Sequence, residues 1–264
     1  MLLRTLAVLA LLAALPAHAE PVDPGLQKAV DAPLRSAKNR ARDVYRHPGE
    51  VLTFFGVKPD SEVVEIDPGA GGYWTEILAP YLKAKGRYIA ANPEPTTDEA
   101  KRDAKGFAAK LAADPAAYGA VATSAFGAGR PIAPPGSADF VLTFRNLHNW
   151  MKSGQAQASL KAFYAALKPG GVLGIVDHRG LASVPQDPLA ESGYVRQDYA
   201  IKLIEGVGFR FVAASEANAN PKDTKDYPKG VWTLPPTYRL KDVDRAKYQA
   251  IGESDRFTLK FVKP

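Results

Sequence analysis

The chain has 264 residues, 34 Lys and Arg against 28 Asp and Glu, and no cysteine. That length allows one α/β domain with a sizeable core, and the lack of cysteine excludes a disulfide framework. The formal charge of +6 is dispersed among the acids rather than set as a basic stripe interleaved with aromatics, so no nucleic-acid surface is expected.

In chain order, Arg4, an apolar run from Leu6 to Leu15 and the ending Ala17-His18-Ala19 read as a secretory signal cut after Ala19. The other reading is a buried N-terminal helix. The run is too short for a stable membrane anchor, which needs about 20 apolar residues. The mature protein is therefore expected in the periplasm or secreted. A Pro/Gly-rich leader follows, then a basic helical pattern from Leu26 to Tyr45 that breaks at Pro48, then a second helical piece that stops at Gly56. We expect a signal over 1–19, a leader and helical lid over 20–50, and an α/β domain over 51–264.

From "KPDSEVVEI" onward, strands and helices alternate. "RYIAA", "GAVATSAF", "ADFVLTF", "VLGIVDH" and "FRFVAAS" read as strands. "TEILAPYLKAKG", "TDEAKRDAKGFAAKLAAD", "GQAQASLKAFYAALKPGG" and "YVRQDYAIKLIEGVG" read as the helices between them. "DRFTLKFVKP" alternates apolar and polar residues and reads as a final edge strand, paired antiparallel with its predecessor. Between those two lies a polar, Pro-rich excursion, "ANANPKDTKDYPKGVWTLPPT". The pattern predicts a mostly parallel seven-stranded sheet with helices on both faces and an antiparallel last strand. Ligands in such sheets sit beyond the carboxyl ends of the strands, where strand order reverses.

The first strand runs into "VVEIDPGAGG". Glycines after a buried strand let the backbone turn sharply and approach a ligand, beside the free N–H groups of the next helix; a mere tight turn is the plainer reading. Trp74 stands where a dinucleotide-binding G-x-G-x-x-G would place its third glycine, so that spacing is not met. Past the fourth strand, "RNLHNW" packs Arg145, Asn146, His148 and Trp150 together. A histidine there is suited to proton transfer near neutral pH; the alternative is a helix-capping His148 over a core Trp150. Asp177, His178 and Arg179 follow the fifth strand, with Asp177 and Arg179 reading as a salt-bridged loop anchor. No HxH or HxxxH spacing marks a metal site, and none is expected. Arg40, Arg42, Arg46 and His47 read either as a solvated basic face or as part of a lid.

The stretches "ARDVYRHPGEVLTFFGVKP", "TEILAPYL", "FRNLHNW" and "LKPGGVLGIVDHR" together make the chain resemble the class I S-adenosylmethionine-dependent methyltransferase superfamily, from about Arg42 to the C-terminus. More narrowly it resembles a group of exported, periplasmic predicted methyltransferases. The resemblance implies a Rossmann-like fold and S-adenosylmethionine as the methyl donor. It places Glu65, Asp67, Gly69 and Gly71 on the acid-x-Gly-x-Gly-x-Gly motif that wraps the methionine part, with Asp67 in place of the first glycine. It places Asn92, followed closely by Glu94, where an acid usually holds the ribose. His148 would be the base, and Arg145 and Asn146 would orient the acceptor, a small molecule or envelope component. Two functions are open: an exported methyltransferase, or a methyltransferase-like domain without catalysis that serves as a binding or assembly protein. Oligomeric state leaves no trace in the sequence.

Overall fold

The computed structural model describes residues 21–127 and 129–264. The expected signal segment lies outside them. Seven strands form one sheet: β1 Glu62–Ile66, β2 Arg87–Pro93, β3 Ala122–Phe126, β4 Ala138–Phe144, β5 Leu167–His178, β6 Arg210–Ser215 and β7 Arg256–Val262. Their order is β3-β2-β1-β4-β5-β7-β6, parallel from β3 to β5, with β7 antiparallel to both neighbours. This corrects one expectation. The last strand is not an edge: β7 inserts between β5 and β6, and β6 takes the rim. The burial pattern agrees, since Phe257, Leu259 and Phe261 are fully buried while Arg210, Val212 and Ala214 alternate outward.

Helices cover both faces. On one, α8 (Leu147–Lys152), α9 (Ala156–Ala166) and α10 (Gln197–Glu205) pack Leu160, Phe163 and Ile204 against Val64, Ile66 and Val141. On the other, α1 (Pro24–Val30), α4 (Pro48–Phe55), α5 (Thr75–Leu82), α6 (Asp98–Ala113) and α7 (Pro115–Tyr118) pack Leu26, Phe55, Ile77, Phe107 and Tyr118 in one cluster with Val63 and Leu142. Strand β4 feeds both clusters, which is why it reads as an unbroken apolar run. Each fully buried Phe or Leu contributes roughly 1.5–3 kcal/mol. Helix α4 starts with Pro48 in its first turn and ends at Gly56, whose φ of 94° suits a glycine cap. It lies so close over β5 that a Cβ on Gly174 would come within 2.7 Å of Leu142 and 2.8 Å of Phe55.

The N-terminal region departs from the single helix expected over Leu26 to Tyr45. It is three short helices: α1, α2 (Ala37–Arg40) and α3 (Asp43–Arg46). Pro33 and the Ser36 cap break the run, Ser36 Oγ accepting from Asn39 N at 3.3 Å. The segment is tied down by a buried Arg35, which donates to both Asp43 oxygens at 2.7 and 2.8 Å. The Pro-rich excursion is also ordered. It holds a 3-10 turn at Gly230–Thr233 and is followed by α11 (Arg245–Ile251), a helix the sequence pattern did not indicate. Among the described residues no helix is long and apolar enough to cross a membrane.

Candidate active site

Strand order reverses between β1 and β4, and the register sets four strand ends level there. Ile66 faces Ala91 on β2 and Thr143 on β4, while Phe144 faces Val176 on β5. The residues just beyond, Asp67, Asn92, Arg145 and Asp177, therefore emerge on one rim. Asn146 latches this junction, its amide donating to Ile66 O at 3.3 Å and to Thr143 Oγ1 at 3.2 Å.

The glycine-type turn forms even though Asp67 replaces its first glycine. Asp67 has φ 53°, the left-handed region that glycine favours and aspartate tolerates. Its N–H donates to Ala91 O at 2.9 Å. Gly69 follows at φ 65°, and a Cβ built there meets no atom within 4 Å, so ligand atoms can come close to this backbone. Beyond the turn lies a groove of three adjoining cavities of about 340, 550 and 560 Å³, all walled by Pro93. Asp67 and Gly69 line the first, Asn92 the first two, and Glu94 and Arg130 the second and third. Phe126 and Trp150 wall the far end. The groove is acidic near the turn, where burial and the nearby Asp103 raise the pKa of Asp67.

Four of the expected cofactor residues, Asp67, Gly69, Asn92 and Glu94, thus meet on one groove. Glu65 and Gly71 are not on its walls. Glu65 is 1 % exposed, with Tyr88 Oη donating to its Oε2 at 2.5 Å and Thr75 Oγ1 2.8 Å from the same hydroxyl. Burial pushes its pKa up to about 8, against the Tyr88 hydrogen bond. Asp67 adds to that rise and Arg46 opposes it. Gly71 O accepts from Asn39 at 3.1 Å, tying the turn to α2. Asn92 folds its amide back on Ala90 O at 3.1 Å, and Glu94 pairs with the exposed Arg130 at 3.0 Å.

The polar cluster past β4 is joined to the end of β5. Asp177 accepts from His148 N at 3.0 Å, from His178 N at 2.8 Å, and lies 2.9 Å from His148 Nδ1. Those contacts call for a carboxylate with the His148 proton on Nδ1, which leaves Nε2 as a free acceptor. Asp177 is therefore the partner of His148 and not, as the sequence suggested, of Arg179. Arg179 instead holds Asp255 at 2.8 Å and Glu216 at 2.7 Å. His178 Nδ1 meets Ser254 Oγ at 2.5 Å. Burial first, then His148 and the surrounding guanidiniums, drive the His178 pKa well below its usual value. Trp232, from the excursion, sets its ring edge-on to His148 with centroids 6.0 Å apart. Trp150 packs on Phe126 and Phe163, so it serves core and groove at once.

Similarity to known structures agrees with this architecture. A S-adenosylmethionine-dependent methyltransferase from Aquifex aeolicus matches at 17 % identity and TM-score 0.56, over 90 % of this chain and 98 % of that one. The fold is that of class I methyltransferases. An arsenic(III) S-adenosylmethionine methyltransferase from Chlamydomonas reinhardtii matches at 17 % identity and TM-score 0.51, over 91 % of this chain and 73 % of that one. The [4+2]-cyclase SpnF matches at 15 % identity and TM-score 0.55, over 86 % of this chain and 81 % of that one. One fold thus carries different named activities, and at these identities the likeness defines architecture alone. No protein-family profile and no curated protein sequence matches this chain.

Two groups near the site were not foreseen from the sequence: Glu253, just ahead of β7, and Arg256 at its start. Arg46 is 5 % exposed, so the basic segment is not simply a solvated face. Arg42 donates to Glu253 Oε1 at 2.6 Å, and Arg256 pairs with the other Glu253 oxygen. Nothing in the local sequence marks these residues, because β7 meets β5 only through the sheet.

Proposed function

We propose that the protein is an exported S-adenosylmethionine-dependent methyltransferase acting on a small molecule or an envelope component. One observation supports this most directly: an open glycine-type turn and acidic groove share a strand-end rim with a buried His148–Asp177 pair. The fit to the donor rests on the groove volume, on the unobstructed backbone at Gly69, and on carboxylates placed for a cationic, hydroxyl-bearing ligand. Asp67 and Gly69 would hold the methionine part, Asn92 and Glu94 the ribose, and Phe126 and Trp150 would wall the base. Glu65 would brace the turn from beneath through Tyr88. Bound there, S-adenosylmethionine would supply an electrophilic methyl group for in-line transfer.

The chain's own residues then have separable tasks. His148 Nε2 accepts the proton of an acceptor hydroxyl or amine, and Asp177 fixes the tautomer and steadies the resulting imidazolium. Asn146 holds β1 against β4 and so fixes the distance between groove and base. The segment spanning α1–α3, expected as a lid, excludes water from the rim, with Arg46 lying 4.2 Å over the Tyr73 ring.

The alternative, a binding or assembly protein without catalysis, draws on one observation. The groups assigned to the ribose are already engaged, Asn92 with its own strand and Glu94 with Arg130. Isothermal titration of the signal-free protein with S-adenosylmethionine and S-adenosylhomocysteine separates the two readings. Saturable heat with both ligands is expected. Absence of heat and of any thermal shift at millimolar ligand would leave the binding-protein reading.

A further inference from the structure

Beside His148 the interior holds more positive charge than it neutralises. Arg42, Arg46, Arg145 and Arg256 converge from the N-terminal segment, the end of β4 and the start of β7, close enough for Arg256 and Arg42 to act on Arg145. Glu253 is the carboxylate paired with them, bonded to Arg42 and Arg256. Asp177 is engaged by His148 and two backbone N–H groups. Arg46 Nε and Nη2, Arg145 Nε, Arg256 Nε and Arg42 Nη2 are buried donors with no hydrogen-bond partner. Arg46 and Arg256 are 5 % and 2 % exposed. Unpaired buried guanidinium donors are costly, and such forks match the oxygens of carboxylate and phosphate.

We infer that the Arg46–Arg145–Arg256 cluster is an oxyanion site that takes a carboxylate or phosphate carried by the methyl acceptor, setting the acceptor's nucleophile beside His148 Nε2. The word acceptor rests on the methyltransferase reading; anion binding by the cluster does not. Solvent reaches the cluster at Arg42 and Arg145, both only partly buried, which gives an anion a way in. Arg145 is held at φ 65° by its N–H bond of 2.7 Å to Val176 O, so its guanidinium is placed by the junction of β4 and β5. Burial and the neighbouring Arg256 and Arg42 lower its pKa to about 10, and burial with Arg145 and Arg42 lowers that of Arg46. Burial and crowding by like charges outweigh the carboxylates that act on them, Glu253 on both and Asp177 on Arg145. The same field bears on a second candidate. The ligand atoms of His148, Asp177 and His178 lie within 4.8 Å of one another, as a metal site would require. The guanidiniums of Arg256, Arg145 and Arg46, which act on His178, oppose a cation there and favour an anion.

The test titrates the signal-free protein with inorganic phosphate and with acetate at constant ionic strength, read by calorimetry and thermal shift, with chloride as the reference salt. Saturable phosphate binding is expected, weakened roughly tenfold or more in Arg46→Gln and in Arg145→Gln. It should be unchanged in Lys168→Gln, which removes an exposed charge at the opposite end of β5. Arg46→Lys, which keeps the charge and loses the fork, should fall between, so a folding defect in one variant does not decide the result. Phosphate that binds alongside S-adenosylhomocysteine supports an acceptor oxyanion. Phosphate displaced competitively by S-adenosylhomocysteine assigns the cluster to the donor's own carboxylate and overturns the inference. Equal phosphate affinity in wild type and both Gln variants, or no saturable binding, overturns it as well. Phosphate binding in a protein that takes up neither donor nor product would sink the methyltransferase reading and leave the anion site standing.

Discussion

The two halves of the carboxyl rim differ in charge and closure. Beyond β1, β2 and β3 the rim is an open groove whose charged walls include Asp67, Glu94, Glu99 and Asp103. Beyond β4, β5 and β7 it is filled by side chains: Arg46, Arg256, His148, His178, Asp177 and Glu253 are buried, while Arg42 and Arg145 stay partly exposed. The first half suits a ligand with positive charge and hydroxyls, the second an anion that must displace or slip past the N-terminal segment. A sheet whose switch point divides two fields of opposite sign can hold two different ligands at one junction, with Asn146 as the hinge pin.

The largest expected effect falls on the closed half. His148→Ala should lower turnover by roughly 10²–10⁴-fold while leaving donor affinity within about twofold, by single-turnover assay and calorimetry. A parallel loss of donor binding would mean that the two halves are not separate. Next, Asp67→Asn removes one groove charge while keeping a residue that tolerates φ 53°. It should weaken S-adenosylmethionine binding by about tenfold with little change in melting temperature. Unaltered binding would remove Asp67 from the site.

Glu65 allows a test by pH. Its folded carboxyl is raised from an ordinary 4.5 to about 8, so the folded state holds the proton more tightly than the unfolded chain. Its contribution to stability is present below about pH 4.5 and is lost as pH rises through about 8. Wild type should lose melting temperature across that window, and Glu65→Gln, which cannot ionise, should lose less. Parallel curves for the two proteins would show that the Tyr88 contact holds an ionised carboxylate instead. The smallest effect belongs to the exposed Arg130, whose pair with Glu94 contributes at most about 1 kcal/mol. Arg130→Gln should barely alter thermal stability, yet tighten donor binding about threefold if releasing Glu94 lets it meet a ribose. Weaker binding would instead make Arg130 part of the groove.

Legibility in the sequence followed the range of the forces involved. Alternation of strand and helix, the apolar run of β4 and the helix stop at Gly56 are local signals, and the expected strands and helices from β1 onward formed close to where the pattern put them, although β5 begins at Leu167, inside the stretch read as the helix before it. The exceptions were elements whose limits depend on distant partners. The N-terminal helix broke into three around the Arg35–Asp43 pair, α11 formed inside a stretch with weak periodicity, and β7 left the edge for the interior. The groove residues Asp67, Gly69, Asn92 and Glu94 were readable because they sit next to strand ends. Glu65 was readable as a strand-end acid, but its orientation toward Tyr88 was not.

The residues alone determined the strand-helix alternation, the left-handed turn after β1, and the presence of polar clusters just past β4 and β5. These depend on backbone dihedrals and on side-chain periodicity within a few positions. Only the tertiary structure decided that Asp177 serves His148, that Glu65 is sealed beneath the turn, and that Arg46, Arg145 and Arg256 share one interior. Those outcomes come from pairing β5 with β7 and folding the N-terminal segment across the rim. Coulomb and desolvation energies act there between groups up to some two hundred positions apart, as in the Arg42–Glu253 contact.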